Sequence, residues 1–376
     1  MKMLIASHSQ MKKKILHISC GGLGHGGVSS VIFAITEPNK DKFDFDCVVF
    51  RKECEQEVRF LQYGRLHRID AYSVDGKRDL IEIIKRPFTM FWGIYKLCKK
   101  EKYDVVHAHN NDEEALCLLA ARLAGVPLRI AHAHNTKSPR KAGIIKKCLQ
   151  KINQKMIRFV ANKYVGCSRE ACSDYFGDVD AQVIYNAIDL ETYNIENKCV
   201  HEEIQFIHVG RYTYQKNQEF IIKVFKCIHN VFPETKLWLI GFGEDENKLS
   251  IMISENDLLD CCELIPGNSV NIPDYYAKAD YMIFPSRFEG FGIVLLEAQA
   301  MGVECFVSEA VQKEVDLNLL HYLSLKDEPQ IWADYIIGQI KNRKGQRKQL
   351  SVIRLQEYSM QTISQKYEEL YNTPIR

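Results

Sequence analysis

The sequence predicts an α/β protein built from two doubly wound domains whose parallel sheets face a central cleft. Short apolar runs alternate with helical patterns of about 12 residues, which is typical of parallel strands covered on both faces by helices. This alternation stops after Asn186 and starts again at Gln205. A chain of 376 residues is also longer than one hydrophobic core usually serves, so two domains are expected.

The N-terminal domain is predicted to span residues 11–190, after a disordered leader at 1–10. Its apolar runs have the length of buried strands, and the stretches between them carry helical periodicity. The predicted strands are Lys14–Ser19, Phe45–Phe50, Tyr103–His109, Leu128–His134, Tyr164–Cys167 and Gln182–Tyr185. The predicted helices are one from about Val28, Leu80–Lys100, Glu113–Ala124 and a basic surface helix at 144–160.

A polar linker at 191–203 leads to the C-terminal domain at 204–355, and a last helix is predicted at 356–376. The linker lacks apolar periodicity, whereas the strand and helix patterns resume after it. The predicted strands are Gln205–Gly210, Lys236–Gly241, Cys262–Ile265, Tyr281–Phe284 and Cys305–Val307. The predicted helices are Asn217–Asn230, Glu244–Asn256, Ile272–Ala277, one from about Phe291 to Gly302, and helical structure from Val307 to the end.

Composition narrows the class of protein. Hydrophobic residues make up 46% and charged residues 26%, which is ordinary for a soluble globular protein. A net charge of +2 argues against a nucleic-acid-binding polycation, so no nucleic-acid partner is expected. Thirteen cysteines without a CxxC pair favour a reducing, cytoplasmic compartment. No apolar run approaches the roughly 20 residues that span a bilayer.

The stretch from Asp280 to Gly302 has the pattern of an anion-binding site. A short apolar strand ends at Pro285, a glycine-bearing loop follows, and a helix is expected to begin near Phe291. The first N–H groups of a helix have no partner within the helix, and they bind anions such as phosphate. Glu289 and Glu297 flank this helix start. The alternative is a helix that merely carries two surface glutamates.

Two further loops follow predicted strands and contain residues suited to a phosphorylated ligand. Glycines including Gly26 and Gly27 follow the first strand and permit close backbone approach, although tight helix-on-strand packing is the alternative. The spacing matches neither the dinucleotide fingerprint nor a P-loop. Arg211 and Lys216 follow the first strand of the second domain and place two cations where they can neutralise a diphosphate. Taken alone, they can equally be solvated surface charges.

Two HxH pairs end predicted strands of the first domain. His107 and His109 form one pair, and His132 and His134 form the other. Strand spacing directs both members of a pair to the same side of the sheet. Histidine is a common metal ligand, so a metal site is one interpretation. The other is a single histidine that hydrogen-bonds a substrate hydroxyl.

The predicted helix at 144–160 lies in a strongly basic stretch. Residues 136–164 contain nine Lys or Arg and no acidic residue. Apolar residues of the helix share one face, which is expected to pack on the sheet: Ile145, Cys148, Leu149, Ile152, Met156, Phe159 and Val160. The opposite, lysine-rich face predicts contact with an anionic membrane surface, or simply a solvated helix face.

Together these motifs resemble the retaining glycosyltransferases of family four, which have two Rossmann-like domains in the GT-B fold. The paired glutamates Glu289 and Glu297 lie in a FEGFGIVLLEAQAMG segment like the signature of that family. Gly26-Gly27-Val28 is similar to its first-loop glycines, and Val183–Asp189 to its hinge. Ser308–Val315 is similar to the segment that follows the signature. The RIAHAHNT and GRYTYQKN segments are similar to transferases of bacterial capsule and exopolysaccharide assembly.

The resemblance implies roles for individual residues. Glu297 would bind the ribose of a nucleotide sugar, Glu289 the transferred sugar, and His134 would lie near that sugar. The diphosphate would meet Arg211, Lys216 and the backbone N–H groups of Phe291, Gly292 and Ile293. Gly26 and Gly27 would also contact the donor, and Ile265 would lie in the loop near the base. His109 and Asn110 would lie on the acceptor side. His109 is also the alternative to His134 as the key histidine.

The resemblance implies an enzyme that moves a sugar from a nucleotide donor to a glycan or lipid-linked acceptor. The expected donor is a UDP-sugar. The expected location is the cytoplasm, with the enzyme peripheral on the inner face of the membrane. It implies no metal and no cofactor. It also implies that the last helix crosses back to the first domain. Three alternatives remain: a sugar-nucleotide epimerase or hydrolase, a non-catalytic nucleotide-sugar-binding subunit, and a metal hydrolase that uses the four histidines.

Overall fold

The computed structural model describes residues 12–72, 80–109, 114–136, 144–194, 203–342 and 350–374; of 70–72, 80–84, 144–150 and 352 it describes the backbone only. It contains two α/β domains, each built on a wholly parallel sheet with helices on both faces. This confirms the predicted fold class. The predicted leader at 1–10 and most of the linker, 195–202, lie outside the described residues.

The N-terminal sheet has seven strands in the order β3-β2-β1-β4-β5-β6-β7. Its central strands are buried almost throughout because helices cover both faces, which explains their continuous apolar runs. The strands are β1 Lys13–Ser19, β2 Phe43–Arg51, β3 Gly64–Tyr72, β4 Val105–Ala108, β5 Leu128–Ala133, β6 Lys163–Gly166 and β7 Gln182–Val183. The helices are α1 Gly27–Asn39, α2 Glu57–Phe60, α3 Leu80–Glu101, α4 Glu114–Ala124, α5 Ile144–Val160 and α6 Arg169–Phe176.

The C-terminal sheet has six strands in the order β10-β9-β8-β11-β12-β13. The first four strands of each domain therefore occupy equivalent positions, with the first and fourth adjacent at the centre. The strands are β8 Gln205–Val209, β9 Lys236–Gly241, β10 Cys262–Pro266, β11 Tyr281–Phe284, β12 Glu304–Ser308 and β13 Leu320–Leu323. The helices are α7 Gln218–His229, α8 Glu246–Glu255, α9 Ile272–Lys278, α10 Ile293–Ala300, α11 Pro329–Asn342, α12 Val352–Gln356 and α13 Met360–Tyr371.

The chain crosses twice between the domains, and the two crossings lie side by side. The Ile188 N–H donates to the Tyr358 carbonyl at 2.9 Å, which joins the first crossing to the second. Beyond it, α13 packs on α1 of the N-terminal domain, and its Tyr367 and Tyr371 are buried there. The Tyr371 hydroxyl lies 2.8 Å from His107 Nδ1, deep in the first domain.

Two strands were missed by the sequence analysis. β3 was not predicted, because charged and polar residues such as Arg65, His67 and Arg68 interrupt its apolar pattern. The expectation of helical structure from Val307 to the end is wrong at β13, which pairs with β12. Its four residues are too short to show periodicity of their own. Among the described helices, none has the length and apolar character needed to cross a membrane.

Candidate active site

The candidate site residues follow the central strands of the two sheets. In a doubly wound sheet, ligands bind beyond the carboxyl ends of the strands, where the strand order reverses. That point lies between β1 and β4 in the first domain, and between β8 and β11 in the second. The loops that follow β8 and β11 contain Arg211, Lys216 and Glu289. The two loops are therefore brought together by the topology alone.

Hydrogen bonds hold these two loops against each other. Asn217 caps α7 in the left-handed conformation, with φ of 59°, and its side-chain amide donates to the Pro285 carbonyl at 3.2 Å. The Arg287 N–H donates to the Gln215 carbonyl at 2.8 Å, and the Gln215 amide donates to the Phe288 carbonyl at 3.0 Å. The segment on either side of Lys216 is thus fixed relative to the segment before Glu289.

Lys216 and Glu289 form a buried ion pair at the centre of the site. The ammonium nitrogen lies 2.5 Å from Glu289 Oε2, and the two side chains are 14% and 8% exposed. The other carboxylate oxygen accepts from the Gly290 N–H at 3.3 Å. The ammonium also lies 4.6 Å from the centre of the Phe284 ring, a cation–π contact. Arg211, by contrast, is exposed on the same loop.

The predicted anion site begins two residues later than expected. α10 starts at Ile293, and Gly292 is its N-cap with φ of 85° and ψ of 54°. Because an L side chain rarely adopts this conformation, the glycine permits the abrupt turn into the helix. The Leu295 N–H already donates to the Gly292 carbonyl at 2.9 Å, so the N–H groups before it, at the very start of the helix, are those that an anion would bind. Phe291 is buried and stacks on Tyr185, with ring centres 5.4 Å apart, which anchors the turn to the first domain.

Glu297 lies one turn into α10 and is held by two tyrosines. Burial raises the pKa of Glu297 to about 7, and hydrogen bonds from Tyr193 and Tyr276 offset part of that rise. Tyr276 comes from α9. Tyr193 belongs to the segment predicted as a polar linker. No local pattern marks it as a site residue, because only the fold brings it beside the helix.

The first domain meets this site directly at His134 and Thr136. The Thr136 hydroxyl donates to the Glu289 carbonyl at 3.0 Å. A Cβ atom placed on Gly290 would lie 2.2 Å from the His134 carbonyl oxygen and 2.8 Å from Asn135 Cα. The two backbones are therefore in van der Waals contact, and only glycine fits. Neither Thr136 nor Gly290 was singled out by the sequence analysis, since their contact joins distant parts of the chain.

Gln312 provides a second link between the domains. Its amide donates to the Glu289 carbonyl at 2.9 Å and to Glu170 of α6 at 2.5 Å. The Glu289 carbonyl thus accepts one hydrogen bond from each domain, in addition to the contacts of its side chain. Gln312 lies in the Ser308–Val315 segment, which was noted from sequence only for its similarity to a family segment. No role was predicted for Gln312 itself.

The four predicted histidines lie together with a fifth, His17 of β1. Each HxH pair does point to one side of the sheet: the ring centres of His107 and His109 are 4.1 Å apart, and those of His132 and His134 are 3.9 Å apart. Two triads have ring nitrogens within 4.8 Å of one another, namely His17 with His107 and His109, and His109 with His132 and His134. The fold therefore gathers more histidines than either motif predicts.

His109 does not face the cleft. It is 3% exposed, and both ring nitrogens have partners: Nε2 lies 2.9 Å from His17 Nδ1, and Nδ1 lies 3.0 Å from His134 Nε2. The expectation that His109 contacts the acceptor, or replaces His134 as the key histidine, is therefore not supported by its position. Its predicted companion on the acceptor side, Asn110, lies outside the described residues.

The loop that contains Gly26 and Gly27 and the loop near Ile265, which was predicted to bind the base, differ in how tightly they are packed. Gly26 is the N-cap of α1, and a Cβ atom on Gly26 or Gly27 would meet no atom within 4 Å. Tight packing of helix on strand therefore does not explain these two glycines. Ile265 is buried at the end of β10, where its carbonyl accepts from the Tyr212 hydroxyl at 3.4 Å. The Ile265 side chain is part of the core, so only the loop beyond it is free for a ligand.

Comparison with known proteins identifies the family. The sequence profile described as Glycosyltransferase Family 4 matches residues 26–192, and the profile described as Glycosyl transferases group 1 matches residues 191–351. The two profiles meet at the interdomain linker and together cover both domains. The chain belongs to glycosyltransferase family four.

Individual relatives of the transferase include enzymes of polysaccharide synthesis. It is 27% identical to the capsular polysaccharide biosynthesis glycosyltransferase CapH of Staphylococcus aureus, over 76% of this chain and 81% of CapH. It is 30% identical to the Escherichia coli UDP-Gal:α-D-GlcNAc-diphosphoundecaprenol α-1,3-galactosyltransferase, over 57% of this chain and 60% of that enzyme. Anabaena HepE, solved with UDP and glucose, is 16% identical and superimposes with a TM-score of 0.78 over 96% of this chain and all of HepE. The last comparison shows a shared GT-B fold.

Proposed function

We propose that this transferase moves a sugar from a UDP-sugar to a hydroxyl of a glycan or lipid-linked acceptor, with retention of the anomeric configuration, in capsular or extracellular polysaccharide synthesis. The observation that carries the proposal is the largely buried Lys216–Glu289 ion pair beyond the strand ends of one domain, beside Gly290, whose backbone contacts His134 of the other domain. The name of the E. coli relative, which pairs a UDP-sugar with a lipid-diphosphate acceptor, supports the choice of substrates.

The donor would lie between the loops that follow β8 and β11 of the second domain. Its diphosphate would bind at the N-terminus of α10, with Arg211 and Lys216 neutralising its charge. The Lys216 ammonium has three N–H donors, so it can contact phosphate while it still pairs with Glu289. Glu289 would then receive the hydroxyls of the transferred sugar, and Glu297 the ribose hydroxyls. The base would lie over the loop that follows Ile265.

The chemistry would break the bond between the sugar C1 and the diphosphate oxygen and form a bond from C1 to the acceptor oxygen on the same face. The proton of the acceptor hydroxyl would pass to the departing diphosphate oxygen. Both oxygens of Glu289 are engaged, one by Lys216 and one by the Gly290 N–H, which makes this carboxylate a poor covalent nucleophile. This favours attack from the front face.

No metal ion is needed in this proposal. Negative charge develops on the leaving diphosphate, and fixed cations and helix N–H groups stabilise such charge without reorganisation. Arg211, Lys216 and the first turn of α10 supply them here. Divalent-ion chelation would leave the rate unchanged.

Donor binding provides the first test of the proposal. We would measure the melting temperature with a panel of UDP-, GDP- and ADP-sugars. A donor at 100 times its Kd stabilises the native state by about 2.7 kcal/mol, and we expect this from a UDP-sugar. If no nucleotide sugar raised the melting temperature, the donor site would be wrong. Sugar release that does not depend on an acceptor would instead indicate the epimerase or hydrolase.

The pH dependence of donor binding reports on Glu297. Only its ionised form accepts hydrogen bonds from both ribose hydroxyls, and the pKa of Glu297 is raised to about 7. The ionised fraction, and with it the affinity for the donor, should therefore increase about tenfold between roughly pH 6 and pH 8. Isothermal titration with the UDP-sugar measures this. Glu297→Gln should bind more weakly and lose the pH dependence; a flat profile in the unchanged protein would contradict the assignment.

A second proposal concerns membrane contact through α5, on the cytoplasmic side of the membrane. The expectation that Ile152 and Phe159 pack on the sheet is wrong: they are 60% and 67% exposed, whereas Ile157 is fully buried. Lys151 and Lys155 are exposed on the same described part of the helix. Exposed apolar residues interleaved with lysines are suited to an anionic lipid surface, because apolar insertion and charge attraction add.

Vesicle binding tests this surface. We expect the protein to sediment with vesicles that contain anionic lipid, and less so with neutral vesicles or at high salt. The double variant Ile152→Ser, Phe159→Ser should reduce the binding at least tenfold, since each apolar side chain contributes roughly 1.5 kcal/mol when buried. Ile251→Ser, which changes an equally exposed isoleucine of α8, is the matched control. Equal binding to neutral and anionic vesicles would contradict the proposal.

A further inference from the structure

Gln312 joins the two domains through the single nitrogen of its side-chain amide. It lies between β12 and β13 of the second domain and is 3% exposed. The amide donates to the Glu289 carbonyl, in its own domain, at 2.9 Å, and to Glu170 Oε2, in the first turn of α6, at 2.5 Å. An amide nitrogen has two N–H groups, so both are used. A movement of α6 therefore acts directly on the group that holds the Glu289 carbonyl.

The orientation of this amide is fixed by its two acceptors. A flipped amide would turn Gln312 Oε1 toward a carboxylate oxygen and a carbonyl oxygen, and both of these acceptors would lose their donor. In the observed orientation Oε1 is buried and has no hydrogen-bond partner among the described residues. The Gln312 side chain is therefore placed as a donor of two hydrogen bonds.

The backbone that carries Gln312 is held in place from within the second domain. The Gln299 side chain of α10 donates to the Val315 carbonyl at 2.8 Å and accepts from the Leu317 N–H at 2.8 Å. The carbonyl of Gln312 itself accepts from the Tyr322 hydroxyl at 3.3 Å. Because this segment is bonded to its own domain, Gln312 cannot follow α6 when the first domain moves.

The Glu289 carbonyl depends on the first domain for both of its hydrogen bonds. It accepts one directly from the Thr136 hydroxyl of that domain, at 3.0 Å. It accepts the other from Gln312, whose second N–H is bonded to Glu170 of the same domain. The side chain that this backbone carries pairs with Lys216. Contact between the domains therefore fixes the backbone on which that ion pair is built.

A second charged contact between α6 and this segment is weaker. Arg169 lies 3.9 Å from Glu314, and its side chain is 81% exposed. Exposed pairs of this kind contribute little to stability. The Gln312 amide is buried, and a hydrogen bond to a carboxylate is stronger than one between neutral groups. Of the two contacts, the bond from Gln312 is therefore the one expected to hold α6 against the segment.

We propose that Gln312 is a positioning residue that holds the Glu289 backbone in place for sugar transfer while α6 of the first domain contacts the second domain. This role rests on the proposed function, in which Glu289 receives the transferred sugar. When Glu170 is withdrawn, one N–H of the Gln312 amide loses its acceptor, and the amide can turn away from the Glu289 carbonyl. A displacement of about 1 Å at a catalytic site can cost a factor of 100 in rate.

Hydrogen exchange measured by mass spectrometry, without substrate, tests the contact itself. Gln312→Leu and Glu170→Ala should each speed exchange about tenfold in peptides that contain Thr136 or Glu289, which is the effect of one lost hydrogen bond. Glu170→Gln keeps an oxygen that accepts from Gln312 and should retain the slow exchange. Unchanged exchange in both Gln312→Leu and Glu170→Ala would overturn the proposal.

The matched control is Gln330→Leu. Gln330 of α11 donates to Asp334 at 2.8 Å, so the same substitution removes an amide–carboxylate bond that lies on the surface of the second domain. Exchange in the peptides of the domain contact and the rate of transfer should both stay unchanged. A response equal to that of Gln312→Leu would show that any such substitution loosens the domain, which would also overturn the proposal.

Kinetics distinguish positioning from loss of donor binding. Gln312→Leu and Glu170→Ala should each lower kcat about tenfold with a smaller change in the KM of the UDP-sugar, because the contacts proposed for the diphosphate and the ribose remain. Glu170→Gln should keep most of the rate. Glu170→Ala should have no further effect in protein that already carries Gln312→Leu, because both changes remove the same bond. Additive losses, or a change confined to KM, would contradict the positioning role.

The two measurements separate this inference from the assignment of the enzyme. Hydrogen exchange needs no substrate, so failure of the transferase assignment would leave the result for the domain contact intact. Faster exchange in Gln312→Leu with an unchanged kcat would overturn the positioning role of Gln312 and leave the transferase assignment in place.

Discussion

Lys216→Ala is expected to lower kcat/KM for sugar transfer by at least about 100-fold, the largest effect of any single change to the site. Removing one fixed donor that stabilises developing negative charge costs roughly 2.7–4 kcal/mol in comparable sites. The change also leaves the Glu289 carboxylate, 8% exposed, without its cation, so the unfolding free energy should fall by up to about 3 kcal/mol. Steady-state kinetics and denaturant unfolding measure the two effects.

A double variant separates catalysis from stability. Lys216→Met with Glu289→Gln removes both charges, so the stability should largely return while the activity stays low. Lys248→Ala is the matched control, because Lys248 forms an exposed pair with Glu219 in the same domain, 2.6 Å long. Exposed pairs contribute about 0–1 kcal/mol, so neither property should change much. Activity that returned with stability in the double variant would show that the pair is only structural.

Gly290→Ala is expected to lower kcat/KM about 100-fold with little effect on either domain alone. The added Cβ would lie 2.2 Å from the His134 carbonyl oxygen, and both neighbours are backbone atoms that cannot rotate away. The first domain must therefore move off the second. A displacement of about 1 Å at a catalytic site can cost a factor of 100 in rate. The hydrogen bond from Thr136 to the Glu289 carbonyl would lengthen in the same movement.

The matched control for this variant is Gly338→Ala. Gly338 lies in α11, and a Cβ atom there meets nothing within 4 Å. Replacing a helical glycine by alanine should stabilise the protein by about 0.5–1 kcal/mol and leave transfer unchanged. Small-angle scattering should show a wider separation of the domains in Gly290→Ala only. Full activity in that variant would mean that the contact at His134 is not part of the working geometry.

The fold was predictable because the apolar pattern of each strand and helix is contained in a short stretch of sequence. Each central strand is covered on both faces, so its apolar run is visible in the sequence, and the interruption after Asn186 marks the change of domain. β3 and β13 were not predictable on the same basis. Polar residues interrupt β3, and β13 has only four residues, so neither carries periodicity of its own. Both are recognised as strands only through the neighbour that pairs with them.

The part of the site around Glu289 was predictable because one continuous segment carries the whole pattern. Strand, glycine loop and helix start occur together around Glu289, and the order of the strands then brings Lys216 beside it. Contacts between distant segments were not predictable. Tyr193 reaches Glu297 from the linker, and Thr136 reaches the Glu289 carbonyl from the other domain. Such pairs depend on the relative placement of the domains, which no local pattern encodes.

The histidine cluster, too, was predictable only as far as it depends on a single strand. Alternation along a strand predicts that His132 and His134 share a side, and their stacked rings agree. It does not predict that β1 contributes His17, because that depends on the register between β1 and β4. The hydrogen-bonded row of His17, His109 and His134 is therefore a property of the sheet rather than of either HxH motif. This is why the sequence left both a metal site and a single hydrogen-bonding histidine as interpretations.

The most direct test of the central claim is the anomeric configuration of the product. The purified protein would be incubated with an acceptor and the UDP-sugar that most raises its melting temperature, and the new glycosidic bond would be examined by proton NMR. From an α-linked UDP-sugar, retention at the site formed by Lys216, Glu289 and His134 predicts an α-linked product. A β-linked product, or release of free sugar with or without acceptor, would contradict the account.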